Sequence, residues 1–264
     1  MATLAADRSV PMGRDERLFL NMALGMAAVI VAGFSVQLGM GRSTFASPLL
    51  VHAHAVVFMG WVVLFVLQAT FATTGRMALH RMLGWLATGW MAAMLVLGTA
   101  VTVAMVRRGQ TPFFFKPQQF LVFDPATLVT FVGLTGAAIA LRRRTDWHRR
   151  LHVCGMAMLL EPGIGRLLPM PLLVPLAWEA TLAGSLIVPV IGMVIDWRRS
   201  GRIHPAWALG IGAMALCLVV VEAVTFSPVG SAIYRAVAKG SPGATVAPLD
   251  FPPKPAGSLR TGRT

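Results

Sequence analysis

The feature that most constrains the fold is a series of long apolar runs separated by short basic segments. A membrane-crossing helix needs roughly 20 mostly apolar residues to traverse a hydrocarbon core of about 30 Å. Seven runs approach this length: 18–40, 49–72, 82–106, 125–141, 147–168, 172–195 and 205–226. We therefore predict an all-α membrane protein built as a bundle of seven transmembrane helices.

Composition supports this prediction and excludes a soluble domain. Hydrophobic residues make up 56% of the 264 residues and charged residues only 12%, whereas soluble domains are about 25% charged. The chain has a net charge of +13, and its basic residues fall between the apolar runs. We therefore expect membrane lipids and other membrane proteins, and no nucleic acid, as partners. Cys154 and Cys217 lie within apolar runs and give no sign of a disulfide framework.

The basic residues also predict an orientation. The segments preceding the first, third, fifth and seventh runs carry most of the arginine, so the positive-inside rule favours an N-in, C-out arrangement in a bacterial inner (cytoplasmic) membrane. Residues 1–17 then form a cytoplasmic segment, and the run that follows is too long for a signal peptide. Residues 227–264 are rich in Pro, Gly and Ser and are predicted to be a disordered tail, with a short surface helix at its start.

Prolines and repeats refine this topology. Asp124-Pro125 is predicted to start the fourth helix, which is short unless the preceding stretch FFFKPQQFLVF joins it as an interfacial segment. Pro162 disfavours helical geometry at Glu161, so the fifth run should contain a broken helix. A weak hairpin repeat is visible, because Arg76-x-x-x-His80-Arg81 resembles Arg144-x-x-x-His148-Arg149.

Four ionisable residues on different helices are predicted to lie at similar depth in the outer leaflet. They are His54, Glu161, Glu179 and Glu222, each about 5 to 10 Å below the outer face at a rise of about 1.5 Å per residue. His52 lies about 200° around the helix from His54 and cannot face the same site.

Such a set is a functional candidate, since ionisable side chains are costly in lipid. Imidazole and carboxylates can bind a transition metal. The candidate ligands are His54, Glu161, Glu179, Glu222 and His52, with Arg166 nearby. The same side chains could instead form a proton relay or hold a quinone headgroup. The alternative is structural: Glu161 pairs with Arg166, while Glu179 and Glu222 hydrogen-bond locally as neutral acids. His54 also shares a heptad-spaced polar stripe with Trp61 and Gln68.

A second cluster is predicted at the inner ends of the helices. His80, His148 and His152 could supply the axial ligands of a b-type haem, which needs two histidines from facing helices at matched depth. The alternative is that they contact lipid phosphates.

Two stretches carry a family resemblance: HAHAVVFMGWVVLFVLQATF…GRMALHRMLGW, and RRRTDWHRRLHVCGMAMLLEPGIGRLLP. Over about residues 48–172 the chain resembles a large bacterial group of predicted multi-pass membrane proteins of unknown function. This resemblance implies a topology and no activity. A remoter analogy links the histidines at helix ends to cytochrome b-type bundles.

Three functions follow as hypotheses. The first is a metal- or haem-linked redox protein with a His/Glu site in the outer leaflet. The second is a non-catalytic carrier or a lipid- or quinone-binding protein. The third is an assembly or scaffold subunit in which the histidines are structural.

Overall fold

The computed structural model describes residues 13–254, which form nine α-helices and two 3-10 turns without any β-strand. The helices are α1 (Arg14–Gly39), α2 (Leu49–Thr73), α3 (Met77–Arg107), α4 (Pro117–Ala140), α5 (Thr145–Met158), α6 (Glu161–Leu167), α7 (Ala177–Ser200), α8 (Pro205–Thr225) and α9 (Pro228–Ala238). Six of them, α1 to α4, α7 and α8, are long and apolar enough to cross a membrane. The prediction of a multi-pass α-helical protein is confirmed at this level.

Helix starts and ends follow local chemistry. Pro117, Pro205 and Pro228 each begin a helix, where the missing N–H group would have no partner. Glycines in left-handed conformation follow several helix ends, as Gly75 does after α2 and Gly201 after α7, because only glycine adopts this geometry without steric cost.

The predicted start of the fourth helix was wrong. Helix α4 begins at Pro117, and Pro125 lies inside it. The apolar stretch 117–124 continues the helix, and Pro125 removes only one hydrogen bond near its beginning. Asp124 is consequently a residue within the helix instead of its cap.

Polar contacts define one end of the bundle, here called the basic end. The Asp15 carboxylate at the start of α1 binds Arg149 of α5 and Arg199 of α7, both at 3.1 Å. His204, at the start of α8, contacts Asp146 of α5 at 2.8 Å. The starts of α1, α5 and α8 and the end of α7 therefore lie together.

The opposite end is called the distal end. Gln37, near the end of α1, donates to the backbone oxygen of Arg166 in α6 at 3.0 Å. Gln118, at the start of α4, donates to the backbone oxygen of Thr225 at the end of α8. Helix α5 thus starts at the basic end, and α6 reaches the distal end.

The helices α1 to α5 form a ring. Helix α2 packs on α1 and α3, α4 packs on α3 and α5, and α5 closes the ring on α1. Helices α7 and α8 pack outside it against α5, and α8 also against α4. The interior holds large, fully buried side chains that include Met26, Met94, Phe131 and Met156.

The fifth run is interrupted, but the break lies at Leu159 and Leu160, between α5 and α6. Glu161 is itself helical as the first residue of α6, so the prediction that Pro162 keeps it out of helical geometry was wrong. Helix α6 then turns against α1, where Gly163 meets the backbone of Ile30 and Gly33 meets the backbone of Gly163. A side chain at either glycine would separate the two helices, so the pair allows α6 to lie directly on α1.

The C-terminal segment contains the predicted short helix, as α9, but the residues that follow it are more ordered than their composition predicted. Helix α9 and the turn Pro242–Thr245 pack on the bundle, and Tyr234 donates to the backbone oxygen of Gly243 at 3.0 Å. Arg107 of α3 donates to the backbone oxygen of Val237 at 2.7 Å. Composition concealed these tertiary contacts, which order the chain through residue 254. The remainder of the predicted tail, and residues 1–12 of the N-terminal segment, lie outside the described residues.

Candidate functional site

A cluster of ionisable side chains lies in the distal half of the bundle. It consists of His54 on α2, Asp124 on α4, and Glu161 and Arg166 on α6, and is called here the distal cluster. Asp124 accepts a hydrogen bond of 2.7 Å from Thr102 of α3. Three of its members, His54, Asp124 and Arg166, are partly buried.

Glu161 is the buried member of the cluster. Its carboxylate accepts from the indole Nε1 of Trp178 at 3.1 Å and, more weakly, from the hydroxyl of Thr127 at 3.4 Å. The predicted ion pair with Arg166 is not formed. The break before α6 and the glycine contact with α1 turn this carboxylate towards α4 and α7.

Arg166 is held without a carboxylate partner. Its guanidinium donates to the backbone oxygen of Pro162 at 2.8 Å and lies 3.9 Å from the centre of the Phe34 ring. Among residues 13–254 no acidic side chain forms an ion pair with it. Asp124 and His54 nevertheless lie near enough to interact with it electrostatically.

The two histidines at the start of α2 face different surroundings. His54 stacks on Phe58 with ring centres 4.1 Å apart, and its buried Nδ1 atom has no hydrogen-bond partner. His52 instead donates to the backbone oxygen of Phe45 at 3.0 Å, in the connection before α2. The predicted choice of His54 as the inward residue agrees with this geometry.

Glu179 and Glu222 belong to a separate group. Glu222 of α8 accepts from Gln119 of α4 at 2.9 Å. Glu179 of α7 interacts electrostatically with Glu222 and with Lys116, and one of its oxygens is buried without a partner.

The predicted metal ligands are therefore not gathered around one point. The set His54, Glu161, Glu179, Glu222 and His52 divides between the distal cluster, the group on α7 and α8, and the α2 connection. Within the described part of the chain, no three or more His, Cys, Asp or Glu side chains are arranged to hold a metal ion. Similar depth on separate helices did not bring these side chains to a common centre.

The predicted histidine cluster is assembled at the basic end. The ring centres of His80 and His148 are 6.2 Å apart, and those of His148 and His152 are 4.6 Å apart. His80 donates through Nδ1 to the backbone oxygen of Gln68 at 3.1 Å, and His148 through Nδ1 to that of Ala138 at 2.8 Å. Because a carbonyl can only accept, both rings carry the proton on Nδ1 when neutral and leave Nε2 free as a base or ligand.

Sequence reasoning missed Asp124 and a buried ion pair. Asp124 was interpreted as part of a helix start because Pro125 follows it, although the preceding stretch left a longer helix open. The pairing of Arg150 on α5 with Asp196 on α7 has no local sequence signal, since the two residues are 46 positions apart.

No family model, curated protein or solved structure matches this chain. The resemblance to a group of multi-pass membrane proteins, inferred from the motifs around α2, α3 and α5, stays a prediction.

Proposed function

We propose that this protein is a carrier that binds a small carboxylate or phosphate anion at Arg166 and takes up a proton with it. The observation that supports the proposal most directly is a partly buried arginine that lacks an ion pair, although Asp124 lies close enough to interact with it. The anion is either a free solute or the headgroup of an anionic lipid.

The charges around Arg166 couple the binding of the anion to the uptake of a proton. Without a ligand, Asp124 is the nearest counter-charge of Arg166. An anion that binds the guanidinium takes over this role and leaves the aspartate beside a second negative charge. A carboxylate in that position is favoured in its protonated form, so one proton enters with each anion.

The other cluster members have supporting roles in this proposal. Thr102 can donate to the ionised Asp124 or accept from its protonated form, because a hydroxyl does both. Glu161 is held by Trp178 and Thr127 and closes the buried side of the cluster. His54 offers an unpaired ring nitrogen to the anion or to a proton.

The topology of the carrier is part of the proposal. Helices α5 and α6 together form a seventh crossing, so that the basic end lies at the cytoplasmic face of a bacterial inner membrane and the distal cluster opens outward. The arginines at the basic end support this orientation.

Calorimetry on the detergent-purified chain tests the function. The probes are inorganic phosphate and succinate, followed by phosphatidylglycerol in nanodiscs to separate solutes from lipid headgroups. Repeating each titration in buffers of different ionisation enthalpy counts protons, and we expect about one per anion. Arg166→Gln should weaken binding roughly 10- to 100-fold, because charged hydrogen bonds contribute about 1.5–3 kcal/mol.

Two variants control this experiment. Arg108→Gln removes an exposed arginine at the same end of the bundle and should bind normally. Asp124→Asn should retain anion binding but lose proton uptake. The proposal is overturned if none of the three probes binds, or if Arg166→Gln binds them as well as the unaltered protein does.

A second candidate is haem binding at the histidine cluster. It is favoured by one observation: backbone carbonyls fix the Nδ1 protons of His80 and His148, as is common for ligating histidines. A reduced-minus-oxidised absorption spectrum tests it. A Soret band that disappears in His80→Ala would favour electron transfer, and its absence from the unaltered protein would exclude this candidate.

A further inference from the structure

The polar stripe on α2 has unpaired atoms along its length. The Nδ1 of His54, the Nε1 of Trp61 and the Oε1 of Gln68 are all buried and have no hydrogen-bond partner among the described residues. They recur at heptad spacing and therefore lie on one face of the helix. The large majority of buried side-chain polar atoms in proteins are paired, and each unpaired group costs about 1–3 kcal/mol.

This face points into the ring formed by α1 to α5. Trp61 is 4% exposed and meets Phe131 of α4 edge-on, with ring centres 5.1 Å apart. Gln68 lies against Gly84 of α3, where a Cβ atom would come within 3.3 Å of its side-chain nitrogen. Trp61 and Gln68 are thus covered by neighbouring helices, while His54 at the distal end of the stripe is partly buried.

A fourth unpaired polar atom lies across the ring. Thr135, on α4, is one turn beyond Phe131, and its buried hydroxyl has no partner. It lies next to Gly155 of α5, on the same helix face as His152. The unpaired groups therefore continue from α2 towards the histidine cluster.

Both ends of the stripe adjoin ionisable groups. At the basic end, the backbone oxygen of Gln68 accepts from His80, whose ring neighbours that of His148. At the distal end, His54 interacts electrostatically with Arg166 of the distal cluster. From His54 to Gln68 the helix rises about 21 Å, at about 1.5 Å per residue, which is most of a hydrocarbon core.

We propose that this stripe lines a hydrated proton path that joins the basic-end histidines to the distal cluster. Water molecules bound to Trp61, Gln68 and Thr135 would satisfy the unpaired atoms and carry the proton from one to the next. The histidines accept and release it at the basic end, and His54 accepts and releases it at the distal cluster. This inference rests on the proposed function for the destination of the proton, but it requires no anion.

Proton flux in vesicles tests the path. The full chain is reconstituted into phosphatidylcholine vesicles that contain a pH-sensitive dye, and a potassium gradient with valinomycin drives protons inward. We expect flux above that of protein-free vesicles. Gln68→Leu and Trp61→Phe, which remove the unpaired groups, should reduce it to the protein-free rate.

Matched variants make the outcome decisive. Thr70→Val removes a hydroxyl on α2 that bonds within its own helix at 2.8 Å and should conduct normally. Thr135→Val removes a hydroxyl without a partner at little cost in shape and should reduce flux while the protein stays folded. Flux equal to protein-free vesicles for the unaltered chain, or normal flux in Gln68→Leu and Thr135→Val together, would overturn the proposal.

The two proposals fail separately. Normal phosphate binding with flux lost in Gln68→Leu supports the path and the anion site as distinct parts. Flux that persists while no anion binds contradicts the carrier and leaves the path standing.

Discussion

Arg150 and Asp196 form a two-pronged ion pair inside the bundle, with nitrogen–oxygen distances of 2.7 and 3.0 Å. The indole of Trp207 also donates to Asp196, at 2.7 Å. The three residues lie on α5, α7 and α8, so a single carboxylate joins these helices. Arg150 and Asp196 are only 7% and 9% exposed. Removing one partner of an ion pair buried to this degree strongly destabilises a protein.

Arg150→Met should therefore destabilise the protein by about 3–5 kcal/mol, because it leaves a buried carboxylate without its counter-charge. Thermal unfolding in detergent measures the change. Arg199→Gln breaks an exposed pair with Asp15, with side chains 43% and 49% exposed, and should cost less than about 1 kcal/mol. Equal losses in the two variants would contradict this assignment.

The Asp146–His204 contact predicts that the stability of the fold depends on pH in the acidic range. His204 accepts from the backbone N–H of Ala206 through Nδ1 and donates to Asp146 through Nε2. This hydrogen bond lowers the pKa of Asp146. Because the folded-state pKa is below the usual value of about 3.9, the contact stabilises the fold above that pH and its contribution is lost as the pH falls through the folded-state value.

Unfolding midpoints measured from pH 7 to pH 3 check this dependence. His204→Ala should be less stable at neutral pH and should lose less stability on acidification than the unaltered protein. His52→Ala, whose ring contacts only a backbone oxygen among the hydrogen bonds of the structure, should keep the original acid slope. Parallel curves for the unaltered protein and His204→Ala would refute the prediction.

The contact between α1 and α6 predicts a steric effect. Gly163→Ala would place a Cβ atom 3.0 Å from the Cα of Ile30. The backbone of one of the two helices must move to relieve this steric clash. We expect a loss of about 1–3 kcal/mol together with weaker anion binding, since α6 carries Arg166. In the control Gly133→Ala the added Cβ atom has no neighbour within 4 Å, so this variant should be neutral or stabilising. Similar melting temperatures for the two variants would show that the close approach of α1 and α6 does not matter for stability.

Glu161 is predicted to tolerate an amide better than an apolar side chain. In Glu161→Gln the amide oxygen can still accept from Trp178, and the Thr127 hydroxyl can rotate to accept from the amide nitrogen. Glu161→Leu leaves the buried indole donor unpaired, at a cost of about 1–3 kcal/mol. Melting temperatures of both variants and of the double variant Trp178→Phe/Glu161→Leu test this. The double variant removes donor and acceptor together, so it should recover part of the stability lost in Glu161→Leu.

The sequence was sufficient for some of these features and insufficient for others. Long apolar runs predicted the membrane-length helices, because this effect is local. Pro162 predicted an interruption of the fifth run, but the break lies just before Glu161, which is itself helical. Depth along a helix placed Glu179 with His54 and Glu161, since depth says nothing about which way a side chain faces. Asp124 was missed because Asp124-Pro125 was interpreted as a helix start, whereas α4 begins at Pro117.

The turns at the basic end have a consequence for recognition by soluble proteins. Helices there are joined by the short segments 74–76, 141–144 and 201–204, so the described chain offers no folded domain and no long loop on that side. A water-soluble protein can contact only the arginine-rich helix ends on that side. The same guanidinium groups are attracted to phospholipid headgroups. Any molecule that recognises this face must compete with the bilayer for it, and an acidic one is best suited to do so.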